Sequence, residues 1–296
     1  MKDFPIPVVA AGLPGLVGPG SQADDDVLDY LPMPSGMATF RPPPLPEPEA
    51  TAHCHRAHAV LRQALAALAR VAADGGRQRI DLAGLPADDL RLLNQVLGEG
   101  EVSAMVQPAQ PGGPALQVQE SVFAGLWRVI VSADGQVLDD TLEVAAVPQA
   151  LHDAAAADAA RATLPPPWAG PLPPDVQNAP ALLAEIDDQL PRCGPGQPAH
   201  VINLTLLPMS VADIGFLDHH LGTGRVLILS RGYGNCRISN TLRANGWRVV
   251  YYNSQDVVIL NTVELVDLPA VALAAPEDIA DSHERLAEVL AWVEGM

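Results

Sequence analysis

The octapeptide RIDLAGLP at 79–86 recurs as VINLTLLP at 201–208, and three further blocks follow it in the same order. LLNQVLGEGEV at 92–102 matches FLDHHLGTGRV at 216–226. LWRVIV at 126–131 matches GWRVVY at 246–251, and TLEVAAVP at 141–148 matches TVELVDLP at 262–269. Trp127 falls on Trp247 and Pro148 on Pro269, with spacings that drift by only a few residues between blocks. A fixed internal period constrains architecture more than any local propensity, because both copies must build the same series of elements. The pattern reads as a tandem duplication.

Each copy opens with a helix, at about 50–74 or 180–190, and continues through a short strand into an amphipathic helix. Leu90, Leu93 and Leu97 mark that second helix in the first copy; Ile214, Leu217 and Leu221 mark it in the second. A Gly-x-Gly follows each, Gly98 to Gly100 and Gly222 to Gly224, where a helix C-cap calls for glycine. Extended segments come next. Asn245-Gly246 reads as a two-residue hairpin turn and Ala133-Asp134-Gly135 as a second turn. An Ala-rich helix closes each copy. The predicted class is α+β: a helix–strand–helix–antiparallel-strand unit present twice, as two similar subdomains.

Residues 1–48 hold eleven of the 29 prolines, together with Asp24, Asp25 and Asp26. That composition is too poor in packable side chains to fold alone, so it reads as a flexible acidic arm. LPPPWAGPLPP, within 164–179, reads as a linker. The first repeat then spans 49–163 and the second 180–296. A chain of 296 residues is long enough for two such cores.

The net charge of −18 opposes binding to a phosphate backbone, which needs clustered Lys and Arg. It suits a basic partner instead. Cys54, Cys193 and Cys236 form no CxxC pair, so neither a disulfide framework nor a four-thiolate metal site is expected. Asp3 and the prolines at 5, 7 and 14 spoil a signal-peptide core. The apolar run near 59–73 is interrupted by Arg62 and Arg70, short of a bilayer span. A cytoplasmic protein without membrane insertion is expected.

Cys236 is the chemically tempting residue. With a period of two it shares a strand face with Ile238, Asn240 and Leu242, and the repeat places these four on Leu116, Val118, Glu120 and Val122. A cysteine standing where the other copy has leucine reads as core, with a thiol contact or redox role as the alternative. GYGN before it lacks the Lys-Ser/Thr of a phosphate-binding loop. In HCHRAH at 53–58, Cys54 and His58 share a helix face while His53 and His55 point elsewhere, leaving no third metal ligand in phase. Adjacent His219 and His220 diverge by about 100° on a helix. The run from Asp281 to Glu284 is adjacent in sequence, which does not make a triad. No catalytic residue, metal site or cofactor is expected.

The segment NCRISNTLRANGWRVVYYNSQDVVILNTVELVDLPAVALAAPEDIADSHERL, with FLDHHLGTGRV, GPGSQ and LPMPSGMATF, resembles the hydrogenase expression/formation protein family of the HupH/HyaF type along nearly the whole chain. The resemblance implies a chaperone in the maturation of uptake [NiFe] hydrogenases; the alternatives are a thiol-dependent redox or metal/sulfur carrier using Cys236 and a non-catalytic scaffold for another protein. The chaperone's partner would be the iron–sulfur small subunit precursor, with a further maturation protein as an additional partner. For the binding surface the second copy offers RGYGNC where the first has PGGPAL. Arg231, Tyr233, Asn235 and Arg237 are the candidates, since arginine and aromatic anchors dominate interfaces.

Overall fold

The computed structural model describes residues 45–232 and 234–295. Most of the Pro-rich arm lies outside them. In chain order the elements are α1 (Pro48–Thr51), α2 (His55–Asp74), β1 (Gln78–Asp81), α3 (Ala87–Leu97), β2 (Val102–Val106), β3 (Ala115–Glu120), β4 (Leu126–Ala133), β5 (Gln136–Val144) and α4 (Gln149–Arg161). The second half continues with α5 (Ala179–Gln189), β6 (His200–Asn203), α6 (Val211–Leu221), β7 (Val226–Ser230), β8 (Asn235–Asn240), β9 (Gly246–Tyr252), β10 (Val258–Leu265) and α7 (Pro276–Val293). The class is α+β, with antiparallel strand pairing.

Two compact units result, and each draws on both halves of the sequence. One comprises 45–154, 225–232 and 270–295; the other comprises 155–224 and 234–269. Neither unit is continuous along the sequence. The first unit carries strands in the order β1-β5-β4-β3-β2-β7, the second in the order β8-β9-β10-β6.

Strand β7 belongs to the six-stranded unit because it pairs with β2, Ala104 lying opposite Ile228 and Val102 opposite Ser230. In the repeat, Ala104 and Ile228 are the same position. The ladder continues symmetrically at both ends: the Gln107 N–H donates to the Arg225 carbonyl at 3.0 Å, and the Arg231 N–H donates to the Glu101 carbonyl at 3.1 Å. Equivalent strands thus meet as they would in an isologous dimer. The closing helix α7 also packs in this unit. Its Ile279, Leu286, Leu290 and Val293 are buried, and Arg285 lies 5.5 Å from the Phe123 ring centroid. In the four-stranded unit the end of α4 supplies Asp158, whose carboxylate accepts from the Asn240 side chain at 3.0 Å.

Equivalent residues make equivalent bonds. Trp127 Nε1 donates to the Ala145 carbonyl and Trp247 Nε1 to that of Val266, and both rings are fully buried. The Phe123 N–H donates to Ser121 Oγ, as the Arg243 N–H does to Thr241 Oγ1. Asp89 Oδ1 accepts from the Ala57 N–H at 2.7 Å, pinning the start of α2. Asp213 Oδ1 accepts from Gln177, Asn178 and Ala179, pinning the start of α5. Around that second anchor Val176, Ile186, Ile202, Ile214, Phe216, Leu217 and Val263 form one apolar cluster. Each fully buried aliphatic side chain of this kind contributes about 1.5–3 kcal/mol.

The glycine pairs divide two tasks. Gly98 and Gly222 sit in the left-handed region as helix caps (φ 54° and 66°), while a Cβ on Gly100 or Gly224 would collide with Ser121 or Asn240. The Asn245-Gly246 turn is shifted by one residue from its expected place. The Gly246 N–H bonds the Arg243 carbonyl, so Ala244 and Asn245 are the central pair, and Asn245 takes φ 58°. Asparagine tolerates that conformation, and the first copy has Gly125 there at φ 79°. Asp134 and Gly135, both at positive φ, close the β4–β5 hairpin as expected. The stretch 164–178 holds no helix or strand, yet Trp168 packs edge-on to Phe216 at 5.8 Å.

Candidate functional site

Side chains alternate along β8, so Cys236, Ile238 and Asn240 share the face opposed by Tyr251, Val249 and Trp247 of β9. Asn235, Arg237 and Ser239 occupy the other face. Cys236 is 3% exposed. Burial pushes its thiol up to about 12, against a smaller opposite pull from the Tyr251 hydroxyl. A thiol so protonated is a poor nucleophile and a poor metal ligand. Leu116, at the same position of the first copy, is buried in the same way.

Three of the four candidate binding residues are described, and they are divided between the two units. Arg231 is exposed, follows β7 and belongs to the six-stranded unit. Tyr233 lies outside the described residues. Asn235 and Arg237 are half-buried on β8 in the four-stranded unit. There the Arg237 guanidinium stands 5.7 Å from the centroid of the Tyr252 ring, and burial raises the Tyr252 phenol. Arg248 shares this face. It is almost wholly buried and reaches Asp218 of α6 at 3.4 Å. Arg248 and Tyr252 were not among the candidates from sequence. The signal was GWRVVYY, an arginine in phase with a tyrosine across an otherwise apolar strand.

The remaining motifs dissolve into local structure. Cys54 is the N-cap of α2 and His58 is buried one turn on, while His53 Nε2 lies 3.6 Å from the Cys54 sulfur. Burial, then the Asp89 charge, raises the Cys54 thiol. Burial lowers His58. Among the described residues no group of three or more His, Cys, Asp or Glu could hold a metal ion. His220 Nδ1 pairs with the Phe216 carbonyl at 2.9 Å, and its ring stacks on Phe216 at 4.3 Å. Ser282 of α7 is buried, while Asp281 and Glu284 face solvent. No described helix is long and apolar enough to cross a membrane.

One buried carboxyl stands apart. Glu120 occupies the position of Asn240, opposite Trp127 instead of Trp247. Its Oε1 accepts from the Gly125 N–H at 3.3 Å. Burial, with small additions from the Glu101 and Asp278 charges, pushes it up to about 7.

The sequence matches the family "HupH hydrogenase expression protein, C-terminal conserved region" twice, over residues 54–164 and 176–293. It is 55% identical to the hydrogenase expression/formation protein HoxQ of Cupriavidus necator, over 99% of both chains. HupH of Rhodobacter capsulatus is 46% identical over 92% of this chain and 94% of its own. The hydrogenase-1 operon protein HyaF of Escherichia coli K12 is 36% identical over 94% and 95%. A solved structure of the hydrogenase expression protein HupH from Thiobacillus denitrificans aligns with 38% of this chain and 95% of that one, at 26% identity and a TM-score of 0.36. With a double match to the conserved region and full-length relatives well above 30% identity, the chain belongs to the HupH family of hydrogenase expression/formation proteins.

Proposed function

We propose that this protein is a cytoplasmic accessory chaperone in the maturation of an uptake [NiFe] hydrogenase. It binds the iron–sulfur small subunit precursor before assembly and acts by binding instead of catalysis. The observation that carries this reading is the 55% identity, end to end, with a protein named for hydrogenase expression and formation. A carrier role for Cys236 is opposed by its burial and its raised thiol pKa. The exposed Arg231 and the Arg237–Tyr252 pair supply the arginine and aromatic chemistry that anchors protein interfaces. We further infer descent by tandem duplication, supported by the two family matches and by the equivalent bonds of Trp127 and Trp247.

The test is a titration of purified small subunit precursor against the full-length protein at two salt concentrations. Association with a basic segment of the precursor should be faster at low salt, given the −18 charge. Replacing Arg231, Tyr233 and Arg237 together by Ala should weaken the complex at least tenfold. Matching changes within Pro111–Gln117 should not. Undetectable binding by folded wild type refutes the chaperone reading; equal losses from the two loops retain it and discard this choice of residues.

A further inference from the structure

The segment from Val201 to Ala212 contains no charged residue, yet four of its large apolar side chains face solvent. Val201 is 51% exposed, Leu206 81%, Leu207 38% and Val211 69%. The turn Leu204–Leu206 is held beside β10 by the Asn261 N–H, which donates to Thr205 Oγ1 at 2.8 Å. At the start of that strand Val257 and Ile259 are also more than half exposed. Strand β6 is outermost in its unit, next to β10. Val201 lies on β6 itself, Leu206 and Leu207 in the turn after it and Val211 at the start of α6, and among the described residues no further strand pairs with the outer side of β6. An exposed, uncharged, apolar edge strand is a template for pairing with another chain, and natural proteins block such edges with charge.

The first copy blocks it along β1 and the following turn. Arg79 stands where the second copy has Val201, Gly84 where it has Leu206, and Ala87 where it has Val211. Arg79 is tied to Asp139 at 2.5 Å, and Arg56 donates to the Gly84 carbonyl at 3.0 Å. Along β1 and the turn after it the first repeat is closed where the second is open, whereas at the start of β5 and β10 both repeats expose apolar residues, Leu138 at 62% and Ile259 at 55%.

The charge around the open edge selects its occupant. No Lys or Arg occurs between Arg192 and Arg225 or between Arg248 and Arg285. Asp256 is exposed in the turn before β10, Asp175 is exposed where its carbonyl accepts from Ser210, and Glu264 lies opposite Val201. A second copy would bring the same acidic edge and the same −18 charge, which opposes self-pairing. We infer that the β6 edge, from Val201 to Val211 with Ile259, receives an extended segment of another polypeptide, apolar on alternate residues and net basic. It docks by strand addition. The inference rests on the chaperone reading only for the identity of that polypeptide.

The experiment installs a photo-reactive benzophenone side chain at position 206 of the full-length protein, in cells producing hydrogenase, with position 84 as the control. Mass spectrometry identifies the peptide joined to it. The expected result is an adduct from position 206 and not from 84, joined to a net-basic apolar segment of a different protein. With the probe moved to position 259, the variant V201R/L206G/V211A should lose the adduct at least tenfold at an unchanged circular dichroism spectrum. An adduct to this chain itself, no adduct, equal adducts from 84 and 206, or a variant that retains the adduct overturns the surface. If the basic partner is not the small subunit precursor, the surface stands and the chaperone reading for that subunit falls.

Discussion

Glu120→Gln should make this protein more stable at pH 8 than the wild type and should change little at pH 4.5. In the fold, burial raises Glu120 from 4.5 to about 7. Between those values the folded chain keeps a proton that the unfolded chain has released, so stability falls as pH rises through the window. At about 1.4 kcal/mol per tenfold change in proton affinity, the loss by pH 8 is about 3 kcal/mol. A glutamine carries no charge to desolvate. Its carbonyl can keep the bond from Gly125, and its amide can face Asp278 as Asn240 faces Asp158. Urea unfolding of both proteins from pH 4.5 to 8 measures the effect. The difference between the two stabilities should grow by about 3 kcal/mol across the range. Asp278→Asn should move the wild-type midpoint far less, because burial and not neighbouring charge is the main cause. Curves for Glu120→Gln and wild type that run parallel across the pH range would refute the reasoning.

Asp213→Asn should cost about 2–3 kcal/mol at pH 7, since its carboxylate takes three N–H bonds from the start of α5. Although burial pulls Asp213 up, these bonds and that from Ser210 hold it below its ordinary value. The cost should therefore shrink in acid as the wild-type carboxylate protonates, and a pH-independent deficit in thermal unfolding would contradict the assignment. Cys236 and Cys54, each 3% exposed, should react with a bulky aromatic disulfide only on unfolding, after the half-buried Cys193. Cys236→Ala should cost about 1–2 kcal/mol through a small cavity and leave partner binding intact; rapid native labelling at Cys236 would restore the carrier reading.

The sequence alone determined the repetition and the α+β class, because spacing and hydrophobic period are local properties that survive as text. It also placed Cys236 inside, since the face it shares with Ile238 follows from strand alternation and from the leucine in the other copy. Turn positions were legible to within one residue: Asn245 was the right residue, but the chain puts it third in its turn. The units were not legible. Strand β7 pairs with its own counterpart β2, and α7 packs against α2 of the first copy, contacts between segments far apart along the chain. Nor could the sequence reveal that Arg231 and Arg237 belong to different units, or that Glu120 is held near neutral pKa. Burial and strand order come from contacts distant along the chain, and those contacts decide which equivalent residues share an environment and which, like Arg79 and Val201, do not.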